Sequence, residues 1–209
     1  MIKGILFDFD GVIVRSMEDH YEGWKRVFKD YDVDLRPHDL FLLEGQGVEL
    51  VAAQMMEKYN IPMDQLDRII QTKKIIYEEI KDLQIYPGLK EILDYLKQKN
   101  YRIGVVTGGD KKRVLNTLNH FSLTDYFSCI ITADDVTHTK PHPEPFIKGA
   151  EALGLSPEEC LVVENAPLGV ESARKAGCKV AAITHTLSKD HLKNADWIID
   201  KFEELKEIL

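Results

Sequence analysis

Five short runs rich in β-branched residues follow one another after residue 80: "RIGVVT" (102–107), "SCIIT" (128–132), "CLVVE" (160–164), "KVAAIT" (179–184) and "DWIID" (196–200). Helical patterns lie between the first four. One carries Leu89, Ile92, Leu93 and Leu96, and another carries Val114, Leu115 and Leu118. A third begins near "PEPF", and a fourth is opened by Pro167 and closed by Gly177. Apolar strands alternating with helices build βαβ units, which stack into a parallel sheet covered on both faces. With right-handed crossovers the expected fold is α/β, a doubly wound, Rossmann-like parallel sheet whose sites lie at the carboxyl ends of the strands.

Residues 14–80 break that rhythm with three helical patterns and no convincing strand. Ser16 and Asp19 are spaced as a capping box ahead of Tyr21, Trp24, Val27, Phe28 and Tyr31. A second pattern runs through Val48, Val51, Ala52, Met55, Met56 and Tyr59, with Pro62 just beyond it. The third holds Leu66, Ile69, Ile70, Tyr77 and Ile80, with Lys73 interrupting its apolar stripe. The expected division is a core of residues 1–13 and 81–209 and an inserted α-helical cap domain, residues 14–80, lying as a lid over the sheet. The "YPG" at 86–88 returns the chain to the core.

Composition narrows the partners. The 209 residues suffice for one domain with a modest insert. The 27 basic and 35 acidic residues leave a net charge of −8, which argues against non-specific nucleic-acid binding. Cys129, Cys160 and Cys178 are scattered without CxxC spacing, as expected of buried thiols in a reducing compartment. The N-terminus "MIKGILFDFDG" charges too early for a signal peptide, and no apolar run approaches ~18 residues. These features lead to the expectation of a soluble, cytoplasmic chain with no membrane contact.

The chemistry gathers at strand ends. The first strand finishes in "DFDG", where Asp8 and Asp10 share a face if the strand continues. Two carboxylates so close either hold a hard cation such as Mg²⁺ or share a proton. "VVTGGD" places Thr107, two glycines and a helix start together, a suitable phosphate cradle. "HTKPHPEPF" holds Lys140 in a loop stiffened by Pro141, Pro143 and Pro145. "VVENAPLG" ends another strand with Glu164 and Asn165 before a Pro-opened helix. Carboxylates, a hydroxyl, a lysine and a second acidic position are the parts needed to bind a metal and a phosphate.

In order and spacing, "DFDGV", "VVT", "KPHPEPF" and "VVENAPLGVESARKAG" resemble the motifs of the haloacid dehalogenase superfamily of phosphotransferases. The resemblance covers essentially the whole chain and is strongest to the β-phosphoglucomutase-like subfamily, whose helical cap follows the first motif. It implies that Asp8 is the nucleophile that forms an aspartyl phosphate and that Asp10 is the acid/base. It further implies that Thr107 and Gly108 hold the phosphoryl oxygens and that Lys140 neutralises developing charge. Mg²⁺ would be held by Asp8, Asp10, Glu164 and Asn165. An aspartate at position 10 points to phosphate chemistry, because the dehalogenases of the superfamily lack it.

Three departures stand out. The fourth motif reads Glu164-Asn165 where relatives usually carry two acids, so Glu164 is expected to matter more and metal to bind less tightly. Arg15 stands where many relatives have aspartate, and Thr139 replaces the usual glycine before Lys140. In the cap, His20 is either an exposed first-turn polar residue or a group that positions Asp10. Lys73 is either a snorkelling lysine or substrate-facing, as in the sugar phosphomutases. The mutases use a cap arginine where "LLEGQGVELV" offers Val48, and Glu44 would repel a second phosphate if it faced the site. The sequence therefore favours a Mg²⁺-dependent phosphatase of a small phosphorylated metabolite, a sugar phosphate above all. A sugar phosphomutase and a catalytically silent relative are the alternatives.

Overall fold

The computed structural model describes all 209 residues. Its strands are β1 (Gly4–Phe7), β2 (Arg102–Val106), β3 (Cys129–Ile131), β4 (Cys160–Glu164), β5 (Lys179–Ile183) and β6 (Trp197–Ile199). They form one six-stranded sheet in the order β3-β2-β1-β4-β5-β6, with every pair parallel. Each run named from the sequence is a strand, "CLVVE" over its full length and the others shortened by one or two residues at their ends. The order reverses between β1 and β4, and a reversal of this kind opens a crevice at the strands' carboxyl ends.

Nine helices complete the chain: α1 (Met17–Lys29), α2 (Pro37–Phe41), α3 (Val48–Lys58), α4 (Leu66–Ile80), α5 (Leu89–Gln98), α6 (Lys111–His120), α7 (Glu144–Ala152), α8 (Pro167–Ala176) and α9 (Leu205–Ile208). Side chains of β1 alternate between the sheet's two faces. Ile5 and Phe7 join a buried cluster with Leu93, Val114 and Phe202, whereas Leu6 joins another with Phe146, Val170 and Cys178. Each large apolar side chain buried in this way contributes about 2 kcal/mol. No helix is long and apolar enough to cross a membrane.

Residues 14–80 contain four helices rather than three, because α2 is too short to leave a periodic signature. Trp24, Phe28, Leu40, Met55, Ile69 and neighbours form a third buried cluster, separate from those flanking the sheet. The chain enters and leaves this segment side by side. Val14 bridges Ile85, and the Arg15 N–H donates to the Gln84 carbonyl at 2.8 Å. The Arg15 guanidinium lies 6.0 Å from the centre of the Tyr86 ring. Ser16 does precede α1, but it makes no side-chain cap: its hydroxyl donates to Asp10 at 2.5 Å. Asp19 instead accepts the backbone N–H of Asp82 at 2.9 Å. The expected capping box loses to these longer-range partners, a carboxylate being the stronger acceptor for Ser16.

Candidate active site

β1 ends at Phe7, and Asp8 follows directly with only 5% of its surface exposed. Its Oδ1 accepts from Lys140 Nζ at 2.6 Å. Lys140 is itself 1% exposed and also donates to the Val106 carbonyl at 3.0 Å and to Glu164 Oε1 at 2.7 Å. An ammonium has three N–H donors, and all three are taken. Burial pushes the Asp8 pKa up to about 7 against the pull of Lys140. Burial works against the Lys140 charge too, but Asp8 and Glu164 outweigh it and raise its pKa.

Glu164 is fully enclosed. While Oε1 serves Lys140, Oε2 accepts the backbone N–H groups of Asn165 and Ala166 at 2.8 and 2.9 Å. Its carboxylate therefore faces Lys140 and the start of α8, and the metal-ligand role expected of it has no free oxygen behind it. Asn165 differs. Its amide nitrogen donates to the Thr186 hydroxyl at 2.8 Å, and its Oδ1 is buried without a hydrogen-bond partner. The left-handed turn at Gly11 (φ 80°) brings β1's end against Asn165, where a Cβ on Gly11 would run into the amide. An orphaned amide oxygen just past the end of β4, the strand paired with the one that leads into Asp8, is a donor that suits a hard cation.

Asp10 is held by four contacts. Arg113 from α6 takes both of its oxygens, with N–H donors at 2.9 and 2.5 Å. Ser16 donates to Oδ1, and His20 Nε2 lies 3.3 Å from the same atom. Burial alone would raise the Asp10 pKa, but Arg113 and His20 hold it well below the usual carboxylate range. On the other side of the His20 ring, Lys73 donates to Nδ1 at 2.7 Å. Nδ1 is thus the acceptor, and Nε2 carries the proton toward Asp10. Burial and the Lys73 charge lower the His20 pKa to about 4, so the ring is neutral at pH 7. The ring also stacks on Tyr77 with centroids 4.3 Å apart. His20 and Lys73 are both buried, which excludes the exposed and snorkelling alternatives.

Asp8, Asp10, His20, Lys73, Thr107 and Gly108 line one cavity, and Glu44, Gln46 and Arg113 join them. Lys140, Glu164 and Asn165 stand behind that lining. Thr107 Oγ1 accepts the Gly109 N–H at 3.0 Å, which tightens the loop leading into α6. From the helical segment, the loop before α3 presses on this cradle: a Cβ on Gly108 would sit 2.6 Å from the Gln46 carbonyl oxygen and 2.7 Å from that of Gly45. Glu44 does face the cavity. Burial and the nearby Asp10 push its pKa up to about 8, which favours its protonated form and weakens its repulsion of an anion.

The sequence reading missed Arg113 and the Ser16 contact. A signal existed for the arginine: a cation in the first turn of α6 opposes the helix dipole, so it needs a specific acceptor. Asp110 caps that turn by accepting the Arg113 N–H at 2.9 Å.

Comparison with known proteins identifies the family of the chain. The model of the family described as haloacid dehalogenase-like hydrolase matches residues 5–183. The chain is 28% identical over 219 aligned positions to the phosphorylated carbohydrates phosphatase of Thermotoga maritima, covering 100% of this chain and 98% of that protein. It is also 28% identical to the pyrophosphatase PpaX of Bacillus cereus, over 100% of this chain and 96% of that one. Among solved structures, β-phosphoglucomutase from Clostridium difficile superposes with a TM-score of 0.86 at 27% identity, covering 99% of this chain and 96% of that one.

Proposed function

The chain belongs to the haloacid dehalogenase-like hydrolases, and from that premise we propose that it is a Mg²⁺-dependent phosphatase of small phosphomonoesters, sugar phosphates foremost. The observation that carries this reading is the Asp8 carboxylate, fixed on the cavity floor by a lysine whose three donors are all engaged. A nucleophile so oriented meets the phosphorus without having to reorganise, and phosphoryl transfer depends mostly on such positioning and on charge. The Asp8 oxygen attacks phosphorus, the bond to the bridging oxygen breaks, and an aspartyl phosphate forms. Asp10 gives its proton to the departing alkoxide. It then takes one from the water that attacks the aspartyl phosphate, which frees phosphate and restores Asp8. Thr107 and the Gly108 N–H orient the phosphoryl oxygens, and Lys140 favours the charged form of Asp8 against the effect of its burial.

The Asp8 carboxylate, the Asp10 backbone carbonyl and the Asn165 amide oxygen would hold Mg²⁺, with Glu164 serving Lys140 instead. When bound, the ion supplies positive charge against the phosphoryl oxygens and relieves the repulsion between Asp8 and Asp10. Residues 14–80 act as the cap, which excludes water through the loop that carries Gly45 and Gln46. A carboxylate that accepts two guanidinium hydrogen bonds has no proton to give, so the acid step requires Arg113 to turn elsewhere.

Phosphate release from a panel of sugar phosphates and aryl phosphates, with Mg²⁺ and with chelator, tests the reading. Metal-dependent release that is lost in Asp8→Asn is the expected result, and no release from any substrate overturns it. A second reading, sugar phosphomutase, is favoured by the buried, cavity-facing Lys73. Conversion of β-glucose 1-phosphate to the 6-phosphate without net phosphate release would establish it instead.

A further inference from the structure

Two cations enter the cavity from opposite sides. Arg113 reaches in from α6, its side chain 14% exposed and its guanidinium 5.5 Å from the centre of the Phe9 ring. Lys73 reaches in from α4 and is 5% exposed. The Tyr77 ring is near both, its centre 4.9 Å from Lys73 Nζ and 5.9 Å from the Arg113 guanidinium carbon. Buried charges are normally paired, yet no carboxylate lies within 4.0 Å of Lys73 Nζ. Its partner is the neutral His20 ring. Asp10 is the only cavity carboxylate that Arg113 engages, since Asp8 is already taken by Lys140. Lys73 thus stands in the cavity with no acid of its own within salt-bridge distance.

Arg113 also stands where the cavity opens into a cleft between α4 and α6, which Tyr77, Lys112 and Asn116 line along with it. A guanidinium fork fits a carboxylate and a phosphoryl group equally well, so its partner is exchangeable without a change of geometry. If Arg113 turns away, Asp10 keeps two contacts, from Ser16 and His20.

We propose that Arg113, with Lys73 opposite, is the receptor for a second anionic group on the substrate, a carboxylate or a second phosphoryl group placed within a few bonds of the bridging oxygen. The inference rests on the phosphatase reading for the place of the bridging oxygen beside Asp10. Arg113 exchanges Asp10 for that group on binding, and the exchange leaves Asp10 free at the leaving oxygen. Substrates with one phosphate and an uncharged remainder still react when Arg113 swings off Asp10, but they offer it no new partner and bind less tightly. A core helix therefore supplies the cation that the loop around Val48 lacks.

The test is calorimetric binding, with Mg²⁺ in excess, of methylphosphonate, phosphonoacetate and methylenediphosphonate, none of which can be hydrolysed. The wild type should bind at least one of the two diacids about tenfold or more tighter than methylphosphonate. In Arg113→Met that advantage, taken as the ratio to methylphosphonate in the same variant, should fall to about twofold or less, and Arg113→Lys should lie between. The stronger diacid says whether carboxylate or phosphoryl is preferred. Equal affinities in the wild type overturn the proposal, and so does an advantage that survives in both Arg113 variants. Lys73→Met should weaken the same preference, which keeps a variant available if Arg113→Met does not fold. Hydrolysis of an aryl phosphate by the wild type and Asp8→Asn, run beside it, separates failure of the phosphatase reading from failure of this one.

Discussion

The Asn165 side chain donates to the hydroxyl of Thr186 at 2.8 Å, which leaves its own amide oxygen as the atom with no partner. Replacing that amide with a carboxylate changes the charge of the site by one unit at nearly constant shape. Asn165→Asp should therefore lower the Mg²⁺ concentration needed for half-maximal activity, by about tenfold for a gain near 1.4 kcal/mol. Asn165→Ala should raise it. A metal titration of each variant checks this, and an unchanged midpoint in both would remove Asn165 from the metal site.

Lys140 holds two enclosed carboxylates, so its loss leaves both unpaired. Lys140→Met should destabilise the fold by about 3–5 kcal/mol, read from the urea midpoint, and abolish turnover. Lys140→Met/Glu164→Gln should recover part of the stability, because one of the stranded charges is gone, but none of the activity. If the double variant is no more stable than the single one, Glu164 is not held in place by Lys140.

Asp39 begins a charge network inside the helical segment. Its side chain is 5% exposed and accepts from Lys58 at 2.7 Å, Tyr59 at 2.8 Å and Arg36 at 3.2 Å. Burial alone would raise its pKa, but these donors outweigh it and hold the group below the usual carboxylate range. A folded-state pKa below the unfolded one gives stability that is present above the unfolded value and lost as pH falls beneath it. Asp39→Asn should cost about 2 kcal/mol at pH 7, and the gap to wild type should shrink as pH drops below about 4. Denaturation of both proteins across that range reads the gap directly, and a gap independent of pH would contradict it.

Gly108 has no room for a side chain, because the obstructing atoms are backbone oxygens of Gly45 and Gln46 and cannot rotate aside. Gly108→Ala should push that loop off the phosphate cradle and cut kcat/KM roughly ten- to hundredfold, with little change in thermal stability. Steady-state kinetics beside a melting curve separates a displaced loop from a damaged core.

Much of this could be read from the chain itself. The strands are short apolar runs, the central ones buried on both faces, so their pattern survives without tertiary information, and the parallel order follows from the helices between them. Asp8, Asp10 and Thr107 lie just after strand ends, and Lys140 lies in the proline-stiffened loop between β3 and α7, so topology brings them to one end of the sheet. What escaped depends on side-chain reach. Arg113 lies 103 positions from Asp10 and meets it through a long side chain. Glu164 and Asn165 are neighbours in sequence, yet one turns to Lys140 and the other to Thr186. Adjacent residues at a strand end face opposite ways, and no spacing rule says which faces the site. Ser16 has the signature of a helix cap, and only the fold shows that a carboxylate competes for its hydroxyl.

The buried cluster around Trp24, Phe28 and Met55 is separate from the two clusters that sandwich the sheet. Mutations that reshape that cluster, as distinct from Ser16, His20 and the Gly45–Gln46 loop that meet the site, are therefore absorbed within the helical segment, and the sheet that aims Asp8 does not register them. A lineage built on this plan can drift in what it recognises while inheriting its chemistry unchanged, so new specificities are reachable by small steps that never pass through an inactive ancestor.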